Sequence, residues 1–140
     1  MKNLLFFVFS LFYINGFSQD TTMLEKSIFD RINTHRTKIG KTKYVYNNSM
    51  VGSCRKHSRY MGKTDNLVHV QDLEGVNAGG EIIQMTYFND MTNSEVANEV
   101  LKNFLNSPSH KKLIESSYTK CSVGVFIKSD DSLWITIRFF

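Results

Sequence analysis

Four side chains in this sequence could carry chemistry, namely His69, Glu81, Glu99 and His110. Two imidazoles and two carboxylates could bind Zn²⁺, which accepts histidine nitrogen and carboxylate oxygen and often keeps an open position for water. The same groups could instead form a general base with a positioned water. The spacing contains no His-Glu-x-x-His helix and no short ligand pair, so each residue taken alone is more typical of an ordinary polar side chain than of a functional one.

His110 follows a sharp corner between two predicted helices. Pro108 is the only proline of the chain and suits the first position of a helix, where its missing N–H costs nothing. We expect Ser107 to cap that helix with its hydroxyl. The corner would then present the imidazole one turn later, beside Lys111 and Lys112.

His69 and Glu81 belong to an irregular segment, residues 62–80 and the position after it, that is rich in Asp, Asn, Gly and Gln. Loops of this length inside a compact domain are usually functional or disordered. Glu81 stands between paired glycines and an apolar run, which is an unusual place for a surface acid. The alternative is a solvent-facing residue at the edge of a strand or turn.

Three longer helices are predicted at residues 23–39, 49–61 and 94–105 from apolar positions that recur on one face. Thr22 with Glu25, and Thr92 with Glu95, have capping-box spacing at the first and third helix. His57 lies on the apolar face of the second helix. We expect it to be a hydrogen-bonded core residue and not a ligand.

Strands are predicted by the short extended piece at residues 44–46 and by two runs at the end of the chain. Residues 123–127 and 133–140 are separated by the turn residues 129–132. The last run is nearly unbroken in apolar and β-branched residues, which is typical of a central, covered strand. We therefore expect a small, mostly antiparallel sheet with helices on both sides.

The first 18 residues have the pattern of a cleaved signal peptide. Lys2 is followed by an apolar stretch at residues 4–14 and then by the small residues Gly16 and Ser18. The stretch is too short to cross a bilayer, and no cysteine follows it for a lipid anchor. We predict one domain over residues 19–140 that is secreted, extracellular or periplasmic, without a transmembrane segment in the mature chain.

The net charge limits the class of partner, and the two cysteines allow two redox states. The formal net charge is +4, but the basic residues are scattered and form no stripe with interleaved aromatics, so nucleic-acid binding is not predicted. Cys54 and Cys121 could form one disulfide in an oxidising compartment. They could equally be two buried free thiols that act as small apolar residues.

Taken in order, these features resemble the CAP superfamily (cysteine-rich secretory proteins, antigen 5 and pathogenesis-related proteins), whose domain is also called SCP. The resemblance covers nearly the whole mature chain. No single motif in it is decisive, but the ordered set is specific. The matching residues are Asn33 and Arg36, His57-Ser58 with Met61, His69, Gly80-Glu81, Glu99, the corner Phe104-Leu105-Asn106-Ser107-Pro108-Ser109-His110, and Ser122-Val123-Gly124-Val125.

The resemblance implies an α+β fold, a three-layer α-β-α sandwich, and a cleft with two histidines and two glutamates that holds a divalent metal in some members. By position these are His69, Glu81, Glu99 and His110, with the two histidines as metal ligands and zinc as the expected ion. Glu95, one turn earlier, is the fallback for Glu99. Ile82 departs from the family's Asn, and Phe104 replaces its Trp.

Two functions follow as expectations. The first is a non-catalytic exported module that binds a lipid, an envelope component or a protein partner through the cleft. It is favoured because no serine or cysteine stands in a recognisable activated setting. The alternative is a metal-dependent, protease-like hydrolase in which zinc activates water. Whether the protein is an enzyme is left open.

Overall fold

A computed structural model describes residues 21–140, which fold into a sheet with helices on both faces. This α+β arrangement confirms the predicted sandwich. The predicted signal peptide lies outside the described residues, and the domain boundaries stay predictions. The elements are α1 Thr21–Lys38, β1 Val45–Tyr46, α2 Val51–Thr64 after a 3₁₀ turn at Asn48–Met50, β2 Gly80–Tyr87, α3 Asn93–Asn106, α4 Pro108–Ile114, β3 Lys120–Ile127 and β4 Ser132–Phe139.

The four strands lie in the order β1-β3-β4-β2, with β1 parallel to β3 and the other pairs antiparallel. β4 is central, and all eight of its residues are buried, as the sequence predicted. Successive side chains of a strand point to opposite faces. The result is that Leu133, Ile135 and Ile137 face one helical layer while Trp134 and Arg138 face the other.

α1, α3 and α4 cover the first face and enclose the larger core. Within residues 21–140, α2 is the only helix on the second face, where Met61 packs with Ile83 and Trp134. Gly124 of β3 allows this close approach, because a Cβ there would collide with the backbone of α2. The buried Ser58 hydroxyl then bonds the Gly124 carbonyl oxygen at 2.9 Å, which fastens α2 to the sheet.

Asn33 and Arg36 of α1 hold the segment that leads into β1. The Asn33 side chain donates to the Tyr44 carbonyl at 3.0 Å and accepts from the Tyr44 N–H at 2.8 Å. Arg36 is 3% exposed and donates to the carbonyls of Thr42 and Ile114, both at 2.7 Å. These two residues therefore have a structural role, since every one of these contacts joins one segment of the fold to another.

The two predicted capping boxes have different outcomes. Thr92 and Glu95 form a complete box at the start of α3. The prediction for Thr22 and Glu25 is wrong, because Thr22 already lies within α1 and the buried Glu25 carboxylate turns toward the sheet. It accepts from the Val125 N–H at 3.1 Å and so satisfies the outer edge of β3 beyond β1.

Pro108 is the first residue of α4, as predicted, and the corner before it is sharp. The prediction that the Ser107 hydroxyl caps α4 is wrong, because this hydroxyl makes no capping hydrogen bond and lies 3.2 Å from the Ser109 hydroxyl instead. β2 was not predicted as a full strand. It has eight residues and lies at one edge of the sheet, where it pairs with β4.

Candidate functional site

Glu81 is the centre of the candidate site, and it is only 5% exposed, so the alternative of a solvent-facing residue is wrong. Its Oε1 accepts from the Val70 N–H at 2.9 Å and lies 3.1 Å from Nδ1 of His69. Its Oε2 accepts from Nε of Arg138 at 2.8 Å. Both carboxylate oxygens are therefore committed to groups on other segments.

The strand register explains the pairing of Glu81 with Arg138. The two residues are directly opposite each other on β2 and β4, and opposed residues share a face of the sheet. Arg138 is 1% exposed and also donates to the Ser53 hydroxyl of α2. Buried charges are stable only when paired and hydrogen-bonded. Each of these two groups therefore depends on the other.

His57 of α2 lies beside the same carboxylate. Its Nε2 is 2.8 Å from the Val68 carbonyl oxygen and 3.8 Å from Oε1 of Glu81. A carbonyl oxygen can only accept, so Nε2 carries the proton. The expectation of a hydrogen-bonded histidine is confirmed, and the bond fastens the loop that carries His69 to α2.

His69 extends from this loop toward solvent, with 56% of its side chain exposed. A carboxylate accepts hydrogen bonds only, so Nδ1 carries the proton that Glu81 binds, and in the neutral imidazole Nε2 is left as an acceptor. Glu81 thus fixes both the orientation and the tautomer of His69. An exposed, oriented imidazole with an open nitrogen can bind a polar group of a ligand.

His110 is half-buried on α4 and packs edge-on against the ring of Phe104, with 5.3 Å between centroids. Burial lowers its pKa below the ordinary value, and the neighbouring charge of His69 lowers the pKa further. His69 thus contacts Glu81 directly and is near enough to His110 for its charge to act there. We call these three residues the histidine–glutamate site.

The predicted second acid lies apart from these contacts. Glu99 pairs with Lys102 on its own helix, with 3.5 Å between Oε2 and Nζ, and 43% of its side chain is exposed. The fallback residue, Glu95, accepts a hydrogen bond from the Thr92 N–H, and this bond lowers the pKa of the Glu95 carboxyl. The roles assigned to these residues and to the histidine–glutamate site stay predictions.

The fit of a metal can be tested on the donors themselves. Among residues 21–140, no three His, Cys, Asp or Glu side chains are grouped so that they could hold a metal ion. Catalytic zinc sites usually have three protein ligands, and Glu81 already uses its oxygens on Arg138 and Val70. The described donors therefore do not fit a three-ligand zinc site, and zinc carries no step of the function proposed below.

Cys54 and Cys121 are buried free thiols in this structure, so the disulfide alternative is absent from it. The sheet separates them, since Cys54 is on α2 while Cys121 packs with the core of the opposite face. Burial raises the pKa of Cys54 to about 12, and burial raises the pKa of Cys121 as well. Neither thiol is poised as a nucleophile.

Arg138 is the site residue that the sequence interpretation missed. One signal could have found it, because an arginine inside an otherwise apolar, covered strand requires a buried acid as partner. Glu81 was the acid already singled out as oddly placed. Glu81 and Arg138 are 57 positions apart in the sequence, so their pairing depends on how β2 and β4 align in the sheet.

Comparison with known proteins agrees with the family resemblance of the sequence motifs. Residues 29–139 match the family model described as CAP, the cysteine-rich secretory protein family. No curated protein sequence gives a significant match. Within residues 21–140, none of the helices has the length and apolar character needed to span a membrane.

Several solved structures share the fold. An outer surface protein of Borrelia burgdorferi has a TM-score of 0.69 at 14% identity, with 86% of this chain and 94% of that chain covered. NaASP2, solved with Zn²⁺, has a TM-score of 0.67 at 11% identity, with 90% and 82% covered. An extracellular SCP-domain protein of Bacillus anthracis has a TM-score of 0.62 at 18% identity, with 84% of this chain but 40% of that chain covered.

Proposed function

The chain belongs to the cysteine-rich secretory protein (CAP) family, and we propose that it is an exported, non-catalytic module that binds an envelope component through the histidine–glutamate site. A lipid, a glycan or a protein of the envelope are the ligand classes that the proposal includes. The observation that supports it most is the commitment of Glu81. Both oxygens of this carboxylate already bind groups of the protein itself.

A general base needs a lone pair directed at the proton that it removes. Glu81 is 5% exposed, and a proton on it would leave the buried Arg138 charge without its partner. Leaving a buried charge unpaired costs about 3–5 kcal/mol. Glu81 is thus suited to hold His69 in place, and poorly suited to accept a proton during a reaction.

The two histidines then supply the ligand contacts. Burial holds the pKa of His110 below its ordinary value, and a positive charge on His69 lowers that pKa further, so the environment favours the neutral form of His110. A neutral imidazole both donates and accepts a hydrogen bond. His69 adds an exposed nitrogen whose orientation is set by Glu81. Such a pair recognises a polar head group.

The charge distribution supports an anionic ligand. α2 carries four basic residues and no acidic one, while the thirteen other basic residues of the chain balance its thirteen acidic ones. Lys56, Arg59 and Lys63 are exposed on this helix. A one-signed helix face attracts an anionic surface and raises the association rate. α2 also carries His57, which lies 3.8 Å from Glu81, so these basic residues are on the helix that borders the histidine–glutamate site.

The test is a binding screen with the intact mature protein. It would use phosphatidylcholine vesicles, vesicles that contain phosphatidylglycerol, and isolated envelope glycans, each with wild type and with the double variant His69→Ala, His110→Ala. His35→Ala is the control for loss of an imidazole, because His35 is on α1 and contacts Glu115 at 2.9 Å instead of a residue of the histidine–glutamate site. We expect binding that the double variant loses at least tenfold and the control retains. Absence of binding to every probe would count against the function.

The alternative is the metal-dependent hydrolase. It is favoured by one feature, a histidine held by a carboxylate, because metal-binding histidines commonly donate their second N–H in this way. Elemental analysis of purified protein tests it, with His69→Ala and His110→Ala as controls. Wild-type protein without stoichiometric metal would rule this alternative out.

A further inference from the structure

The outer edge of β2 pairs with no other strand among residues 21–140, and its exposed part is the second half of the strand. β2 is the last strand of the sheet and pairs only with β4 among residues 21–140. The Phe88 N–H bonds the Asp131 carbonyl at 2.9 Å, so even-numbered residues of this strand direct their backbone groups at β4. The backbone groups of four residues therefore point outward, those of Glu81, Ile83, Met85 and Tyr87.

These outward N–H and C=O groups take part in no backbone hydrogen bond within the described part of the chain. The opposite side of the sheet is different. There β1 pairs with β3, and beyond β1 the Glu25 carboxylate binds the Val125 N–H at 3.1 Å. The outer side of β3 thus has partners in β1 and Glu25, whereas the outer side of β2 has no strand beside it among the described residues.

Nothing on β2 blunts this edge. From Ile82 to Tyr87 the strand has no charged residue and no proline, which are the usual protections of an edge strand. α2 packs over β3 and β4, and it leaves Met85 38% and Tyr87 51% exposed. A long, uncharged edge with exposed apolar side chains is a template for a further strand.

We propose that β2 pairs with β2 of a second copy of this chain, antiparallel and about a two-fold axis at Met85. Two identical strands in antiparallel pairing are self-complementary, since each contact occurs twice under the two-fold. In this register Met85 lies opposite Met85 of the other copy, and Tyr87 lies opposite Ile83. The two four-stranded sheets become one continuous sheet.

This register agrees with the surroundings of the strand. It uses residues 83–87 and stays clear of Glu81, where His69 and Val70 are bound. It buries the two exposed apolar side chains, Met85 and Tyr87. The strand carries no charge in this part, so the contact sets no like charges opposite one another although each copy has a positive formal charge.

Sedimentation of the mature protein over a concentration series is the test. We expect a wild-type monomer–dimer equilibrium and a shift of at least about tenfold toward monomer for Met85→Lys, because this variant sets two like charges face to face on the axis. Val45→Lys is the matched control. It places the same charge at a 61% exposed position of β1, at the other side of the sheet, and should dimerise as wild type does.

Amide hydrogen exchange gives a second readout at the level of single residues. The N–H groups of Met85 and Tyr87, which are 38% and 51% exposed, should be protected at high concentration and lose protection on dilution. Those of Ile82 and Gln84, which face β4, should stay protected throughout. Exchange that does not depend on concentration would overturn the proposal.

A wild-type protein that is monomeric at the highest concentration would also overturn the proposed dimer. The same holds if the monomer instead binds an extended peptide of another protein on this edge. Equal dimerisation of Met85→Lys and Val45→Lys would place the contact elsewhere and overturn the β2 pairing. The proposal rests on the sheet edge alone. Its outcome is independent of whether the histidine–glutamate site binds a ligand.

Discussion

Replacing Glu81 by glutamine should destabilise the protein far more than its position in a ligand site would suggest. Glu81→Gln keeps the shape and one acceptor for Arg138, but it removes the negative charge from a pair in which both side chains are 1% exposed. Removing one member of a buried ion pair costs about 3–5 kcal/mol, because the other charge stays buried and uncompensated. We expect a loss of about 3 kcal/mol in the free energy of unfolding.

The assay is urea unfolding followed by circular dichroism, with a thermal scan beside it. A loss of this size corresponds to a fall in Tm of about 12 °C, at about 4 °C per kcal/mol for a domain of this length. Glu99→Gln is the matched control. Glu99 pairs with Lys102 near the surface, where solvent screening reduces an ion pair to a few tenths of a kcal/mol or about 1 at most.

A double variant separates the charge effect from a simple loss of packing. In Glu81→Gln, Arg138→Met the buried charge is gone, so the double variant should be more stable than Glu81→Gln alone. The reasoning would be refuted if Glu81→Gln cost no more than Glu99→Gln. It would also be refuted if the two substitutions were additive, because additivity means that the residues do not interact.

Three further predictions concern other parts of the molecule. The pKa of His110 should lie below 6.5 in an NMR titration and rise in His69→Gln, because burial first and the charge of His69 second disfavour the cation of His110. The contribution of His110 to stability is therefore complete above pH 6.5 and is lost as the pH falls through the folded pKa. A titration midpoint above 6.5 would contradict this. Burial raises the pKa of Cys54 to about 12, so neither cysteine of the native protein should react with a thiol reagent at pH 8, whereas both should react in guanidinium; a disulfide in unreduced protein would contradict this. Gly124→Ala should cost about 2 kcal/mol or more because its Cβ meets the backbone of α2, whereas Gly52→Ala, with open space around it, should gain about 0.5–1 kcal/mol as a helical substitution; unfolding curves that rank the two variants the other way would refute the packing argument.

The features that could be predicted from the sequence are those whose cause is local. The Thr92–Glu95 box formed because its partners lie within one turn. Pro108 starts α4 because proline suits that position whatever surrounds it. The identical spacing of Thr22 and Glu25 failed because Arg55, from another helix, binds the Glu25 carboxylate at 2.7 Å. The local pattern thus gave way to an ion pair between two helices, in which the Glu25 side chain is 1% exposed and that of Arg55 39% exposed.

The candidate site shows the same division. His69, Glu81 and His110 could be named from residue type and order, but what each of them contacts could not. Arg138 binds Glu81 only because the register of β2 on β4 places the two residues opposite one another. Glu99 was assigned by order along the chain, and the structure gives it a partner on its own helix. Order along a chain identifies candidates, and only the register decides which of them meet.

Glu81 links the stability of this fold to the geometry of its ligand site. Through Arg138 and Ser53 it joins β2 to β4 and α2, and through Val70 and His69 it holds the long loop against the sheet. The loop gains its other fastening from His57, which bonds the Val68 carbonyl and also lies against Glu81. Loss of the Glu81 charge would thus release His69 and weaken the scaffold in one step. A variant that binds poorly for this reason should be recognised by a lower Tm, whereas His69→Ala should lose binding with the scaffold contacts of Arg138 intact.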